Sequence, residues 1–207
     1  MKLPTFPAAA VALALTLALA ACGGGGSDTP AAAGSTLPAG DTSSVGTTTG
    51  SGSGGATVES SIDGTCGNSQ MQAQLLSGIN TLRAQAQTCG SEGSFGATTA
   101  LTWNTTLFDA ATMHSADMAA NNYFSHVSPA GQTTQERLAA VGYDWSALAE
   151  NIALGQTSVA SVLAAWMASA GHCANMMGAA YRHVALSCVR NTAGSRYWTL
   201  NLARPIN

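Results

Sequence analysis

NNYFSHVSPAG at Asn121–Gly131, AENIA at Ala149–Ala153 and WMASAGHCANMM at Trp166–Met177 are three short stretches whose polar residues interrupt an otherwise apolar chain. Between them they carry two histidines, His126 and His172, and one glutamate, Glu150. A hydrophobic core needs none of the three, because an ionisable side chain buried without partners costs free energy. The pattern predicts one polar cleft assembled from three places in the chain. Two imidazoles and one carboxylate are also the smallest protein set that holds zinc with one position open. No H-E-x-x-H spacing puts them on one element, so the same residues also read as a hydrogen-bonded cluster in which the glutamate orients the imidazoles.

The flanking sequence places these stretches on elements. After Asn68 or Ser69 as cap, MQAQLLSGINTLRAQA sets Met71, Leu75, Ile79 and Leu82 at helical spacing. Gly90 to Thr99 reads as a loop, and Asn104 caps a second helix running to about Asn121. Leu107, Ala111, His114 and Met118 share one face of it, which makes His114 a core or cleft-wall histidine. Ser128 to Gly131 is turn chemistry. Thr133 and Glu136 then form a capping box, which assigns Glu136 to structure. Glu150 to Leu154 reads as a short strand, and Ser158 caps a fourth helix with Val159, Leu163 and Trp166 at core spacing. His172 to Met177 is a turn or a short helix entered through Gly171. Arg182–Arg190 and Arg196–Ala203 alternate as the two strands of a hairpin, with His183 on the surface at its start. Helices with a terminal hairpin and one further strand give an α+β domain, helices against a small antiparallel sheet. Met167, Met176, Met177 and Trp166 read as packing, although an apolar groove beside the histidines suits a lipid or a peptide.

The N-terminal end predicts export. An apolar run from Ala8 to Ala21 follows Lys2 and is too short to span a bilayer comfortably. It ends in LAAC, Leu19 to Cys22, ahead of a Gly-rich tract, and so resembles a bacterial lipoprotein signal. That resemblance implies cleavage before Cys22, a lipid on its sulfur and attachment to a membrane, the outer one in a cell that has two. Residues 1–21 are then signal peptide, and residues 22–64 are the lipidated Cys22 with a Gly/Ser/Thr/Ala tether. Such a tract buries too little to order itself and has a typical end-to-end distance of roughly 35 Å. Residues 65–207 are left as one folded domain.

Lys2 is the sole lysine, and six arginines face ten acids with no run of either sign. That excludes a basic face for nucleic acid and any lysine nucleophile. No G-x-S-x-G elbow is present, and Ser125 beside His126 points the other way on an extended loop, so serine catalysis has no support. Cys66, Cys89, Cys173 and Cys188 are an even set in an exported chain and predict two disulfides. Of the three pairings, Cys66–Cys89 and Cys173–Cys188 are preferred. The first would staple the ends of the opening helix, and the second would join the His172 turn to the next strand.

N-Y-F-S-H-x-S-P-x-G, E-N-I-A, A-x-W-M-x-S-x-G-H-x-x-N-M-M and a terminal Y-W-x-x-N, in that order, resemble the bacterial branch of the CAP superfamily. The superfamily joins cysteine-rich secretory proteins, antigen 5 and pathogenesis-related 1 proteins, and its fold is also called the SCP domain. The likeness runs from about Gln70 to Pro205. It implies an α-β-α sandwich with a central antiparallel sheet and a cleft of two histidines and two acids. His126, His172 and Glu150 fall on three of those positions; the second acid falls on Ser169, and Ala149 replaces the usual glycine before Glu150. A serine is no general base at neutral pH. The expectation is therefore a non-enzymatic, membrane-tethered CAP module that needs no cofactor. It would bind a lipid or peptide ligand at His126, Glu150, His172 and Ser169. The alternative is a zinc-assisted hydrolase of peptide or cell-wall substrates, with zinc on His126 and His172 and Glu150 as base or third ligand.

Overall fold

Asn104, Thr133 and Ser158 each end an extended stretch and start a helix. Asn104 Oδ1 accepts from Leu107 N at 2.9 Å, Thr133 and Glu136 close their capping box, and Ser158 closes another with Ser161. In the computed structural model, which describes residues 62–206, they open α2 (Thr105–Asn121), α3 (Thr134–Ala140) and α4 (Val159–Met167). The first helix, α1 (Met71–Arg83), follows Asn68, whose side chain accepts from Gln70 N. The fifth, α5 (Ala170–Met177), follows Ser169, so His172 stands in the first turn of a true helix. The expected signal peptide, Cys22 and the tether up to residue 61 lie outside the described residues.

Two short strands, β1 (Gln87–Thr88) just before the expected Gly90–Thr99 loop and β2 (Ser94–Phe95) within it, pair with each other. The main sheet is built from β3 (Thr102–Trp103), β4 (Trp145–Leu154), β5 (His183–Arg190) and β6 (Arg196–Pro205), in the order β3-β5-β6-β4. The hairpin β5–β6 is the expected one, β4 lies antiparallel to β6, and only the two-residue β3 runs parallel to its neighbour. A register shift falls between Trp145 and Ala147, and β4 begins at Trp145, ahead of the Glu150 start expected from sequence.

Alternation of side chains decides the layers. Ala153, Val184, Leu186, Leu200 and Leu202 meet Met71, Leu75 and Ile79 of α1 and Val162, Leu163 and Trp166 of α4. On the opposite face Ala185, Ala203 and half-buried Leu148 meet Leu107 and Ala110 of α2 and Leu138 of α3, while Ile152 and Tyr197 meet Met118. The outcome is the expected α-β-α sandwich. Truncating a wholly buried leucine such as Leu186 to alanine costs ~2–5 kcal/mol.

The chain has two disulfides, but the expected pairing is corrected: they join Cys66 to Cys188 and Cys89 to Cys173, with Cα atoms 5.2 and 5.4 Å apart. Between Cys66 and Cys89 lie the 13 residues of α1, which hold its ends roughly 20 Å apart, whereas a disulfide needs Cα atoms within about 7 Å. Cys66 is instead seated on β5, donating its N–H to Cys188 O at 3.0 Å. Cys173 turns from α5 into a small cluster with Cys89 and Met177. Gly64, placed by sequence at the end of the tether, is buried and accepts from Cys188 N at 2.6 Å and Ser187 Oγ at 3.1 Å. Its φ is +63°, and a Cβ there would run into Thr112 and Phe108.

Candidate functional site

Glu150 lies on β4 with its carboxylate turned towards the α2–α3 layer. Oε1 is 2.8 Å from His126 Nδ1, and Oε2 accepts from Arg137 Nη2 at 2.9 Å. The carboxylate side chain is only 3% exposed and Arg137 1%, whereas His126 is 51% exposed. Arg137 Nη2 also donates to His126 O at 3.0 Å and to Thr134 Oγ1 at 3.0 Å, and Nη1 donates to Gln132 O at 3.0 Å. One guanidinium thus ties the loop bearing His126 to the start of α3 and to β4. That loop turns at Ser128–Gly131, where Gly131 N donates to Ser128 O at 2.8 Å. His114 of α2 completes the group from below: Nε2 is 3.8 Å from Glu150 Oε1, the side chain is wholly buried, and neither ring nitrogen has a hydrogen-bond partner among the described residues.

The charges follow from this packing. Burial pushes the Glu150 carboxyl up, but the His126 hydrogen bond and the Arg137 charge outweigh it and hold the group below its ordinary value. Burial pushes the His114 imidazole down, only partly opposed by the nearby Glu150 charge. The site therefore holds a buried ionised carboxylate over a buried imidazole that favours its neutral form.

His172 arrives from the other layer. Asn151, the next residue of β4, donates through Nδ2 to His172 O at 3.1 Å, and Asn175 Nδ2 donates to Asn151 Oδ1 at 2.8 Å. These bonds pin the backbone of His172 to the strand and leave its half-buried ring otherwise unassigned. Burial, and then the charge of His126, hold the His172 imidazole below its ordinary value, so the two histidines face each other's fields across the outer edge of β4. Ser169 takes the N-cap position of α5, half-buried, with its hydroxyl uncommitted to the cap.

A groove of about 360 Å³ opens on the His126 side of β4, lined by His126, Val127, Thr133, Thr134, Gln135 and the Leu148–Glu150 stretch, with neither His172 nor Ser169 in its wall. A wider polar hollow of about 670 Å³, with Asp117, Asn121, Ser128 and Gln132 in its wall, adjoins the same loop. Among the described residues no three His, Cys, Asp or Glu side chains are arranged to hold a metal ion. Both Glu150 oxygens face His126 and Arg137, so His126, His172 and Glu150 do not fit a zinc centre with three protein ligands.

Sequence reading passes over Arg137, Asn151 and Asn175, the residues that hold the site in place. One signal for Arg137 was present: it precedes Leu138 on a short helix and has no acid three or four residues away to pair with. His183, expected on the surface, is half-buried with Nδ1 2.9 Å from the Tyr143 hydroxyl.

The fold is a three-layer one in which His126, through Glu150, and the backbone of His172, through Asn151, both attach to the edge strand β4. The chain belongs to the cysteine-rich secretory protein (CAP) family, whose sequence pattern matches residues 76–202 and so spans His126, Glu150, Ser169 and His172. An uncharacterized Bacillus subtilis protein, YkwD, is 34% identical over 86 residues, 42% of this chain and 34% of the relative. The chain thus spans about a third of that relative's length. Among solved structures, an extracellular SCP-domain protein of Bacillus anthracis superposes with a TM-score of 0.52 at 27% identity, over 64% of this chain and 40% of that one. An outer surface protein of Borrelia burgdorferi gives 0.55 at 16% identity, over 67% and 95%, a likeness of fold alone.

Proposed function

We propose that this chain is an exported, membrane-tethered CAP module that binds a peptide or lipid ligand in the cleft between His126 and His172 and does not turn it over. The observation behind this reading is the engagement of Glu150. A general base needs a lone pair facing its substrate and a pKa near the working pH. This carboxylate is buried, held below its ordinary pKa and occupied at both oxygens. Its work is to orient. An ionised carboxylate only accepts, so His126 Nδ1 carries the hydrogen and Nε2 is the nitrogen presented to a ligand. Thr133, Thr134 and Gln135 add polar groups along the groove, and Val127 and Leu148 add apolar surface. Ser169, standing where a second acid is expected, adds an uncharged hydroxyl on the α5 side.

Export is supported by the two disulfides, which persist in oxidising compartments, and by the LAAC sequence ahead of the tether. Similar solved chains are described as an extracellular protein and an outer surface protein. Among the described residues no helix is long and apolar enough to cross a membrane. Attachment would then rest on acyl chains at Cys22, several of which hold a protein on a bilayer far better than one.

The test uses the purified, metal-stripped chain with phospholipid vesicles, peptide mixtures and cell-wall fragments. Melting temperature reports binding, and mass spectrometry reports products. A saturable rise in melting temperature that His126→Ala abolishes, with no product formed, is the expected result. A product whose formation stops in Glu150→Gln would overturn the reading in favour of hydrolysis. Zinc titration heats that vanish when His126 and His172 are both changed to alanine would establish a metal site instead.

A further inference from the structure

Resting on the binding reading above, we propose that the ligand is an extended peptide that adds to the main sheet as a short extra strand along β4, between His126 and His172. The backbone parity of β4 points to this. Gly155 N donates to Arg196 O at 2.9 Å, so the odd-numbered residues of β4 turn their backbone groups towards β6. The even-numbered ones, Leu148, Glu150 and Ile152, turn theirs outwards. Ile152 agrees, since its carbonyl accepts from Trp166 Nε1 at 3.0 Å outside the ladder.

An open strand edge invites another strand, and folds normally blunt it. Here the blunting stops short on both sides. The register shift at Trp145/Ala147 closes one end and the Trp166 indole closes the other. Between them Leu148 and Glu150, whose backbone groups have no partner outside the ladder among the described residues, are both in the wall of the 360 Å³ groove. Two residues along a strand span ~7 Å, a window too short for the flush pairing of two folded sheet edges and sufficient for a single chain. The groove wall formed by Val127 and by Thr133–Gln135 at the start of α3 rises beside that window, which also favours a thin occupant. Strand addition sends alternate side chains to opposite faces. One set would lie towards His126 and Val127 and the other towards His172. The Glu150 charge is answered inside the protein by Arg137, so the groove selects an uncharged segment.

The experiment pans a random decapeptide library on phage against the purified full chain, then synthesises the enriched peptide with each backbone nitrogen methylated in turn. Methylation at alternate positions should weaken binding at least ~tenfold, and methylation at the intervening positions should not, because only every second amide faces β4. Leu148→Pro deletes an N–H that the β4–β6 ladder does not use and should weaken the parent peptide by a similar factor, whereas His183→Ala should not change it. Should Leu148→Pro fail to fold, the methylation pattern decides alone. No enriched peptide, or one whose methylation profile lacks the alternation, overturns strand addition. If no peptide binds but phosphatidylglycerol vesicles raise the melting temperature through His126, the binding module stands and the peptide assignment falls. If neither probe binds, both readings fall.

Discussion

Arg83 and Arg137 are both sealed from solvent, at 0% and 1% exposure, and they are held in opposite ways. Arg83, at the end of α1, has no acidic partner among the described residues. It donates to Thr99 O at 3.0 Å, Met176 O at 2.7 Å and Gly178 O at 3.1 Å. Two of those carbonyls lie at the C-terminal end of α5, where the helix dipole is negative. Burial, and then the charge of Arg182, lower its pKa. Arg137 is answered by a full carboxylate charge at 2.9 Å. A cation resting on carbonyls acts as a strut and fixes where α5, and with it His172, stands. One resting on a carboxylate also fixes the protonation state of the site it supports.

Removing either side chain separates the two cases, and the largest loss belongs to the charged one. Arg137→Leu leaves Glu150 buried without its counter-ion and should cost about 3–5 kcal/mol in urea unfolding. Adding Glu150→Gln should return most of it, and a double variant no better than the single one would mean that the pair is not coupled. Arg83→Leu strands three carbonyls and should cost about 2–4 kcal/mol. Glu150→Gln should give it no rescue.

The pH dependence sharpens the contrast, because the charged region titrates and the strut does not. His114 and His172 have folded values below their unfolded ones. The unfolded chain therefore takes up protons that the fold refuses once pH drops under about 6.5, and stability declines from there. The Glu150 carboxyl is also depressed; its contribution is complete above about 4.3 and disappears as pH falls through its folded value. Melting temperature should be level above about pH 7 and fall in two stages below it. His114→Gln should shrink the upper stage and leave the lower one. An unchanged upper stage in that variant would remove His114 from the account. The smallest effect is expected at His126→Ala. Its half-exposed ring gives up one hydrogen bond to the Glu150 carboxylate, worth about 1.5 kcal/mol because water can enter in its place, while ligand binding should be lost.

The helix starts and the α+β character were legible in sequence because they depend on local chemistry, whereas the three-layer arrangement came from the family resemblance. Asn104, Thr133 with Glu136, and Ser158 satisfy backbone donors a few residues away, and the apolar stripes of α1, α2 and α4 follow the helical period. Glu150 could be read as a polar residue out of place in an apolar strand. Arg137 could not, since its burial depends on β4 and on the His126 loop closing over it. The disulfide partners were hidden for a related reason: Cys66 and Cys188 are separated by 122 positions, and only the bridge between Thr65 and Cys188 makes them neighbours. The Asn151–Asn175 link escaped notice because each amide looks like an ordinary polar residue until α5 is laid beside β4.

The bond between Cys66 and Cys188 also sets the route by which mechanical load enters the domain. A pull on the chain upstream of Ile62 passes through that sulfur bridge directly into β5, an inner strand of the sheet. Some of it also meets α2 beforehand, because Gly64 is packed against Thr112 and Phe108. To reach the cleft, force must then cross two ladders in turn, β5 to β6 and β6 to β4. A molecule held by its leading end would thus be tugged at an inner strand, with β4 and Glu150 two strands away from the point of load.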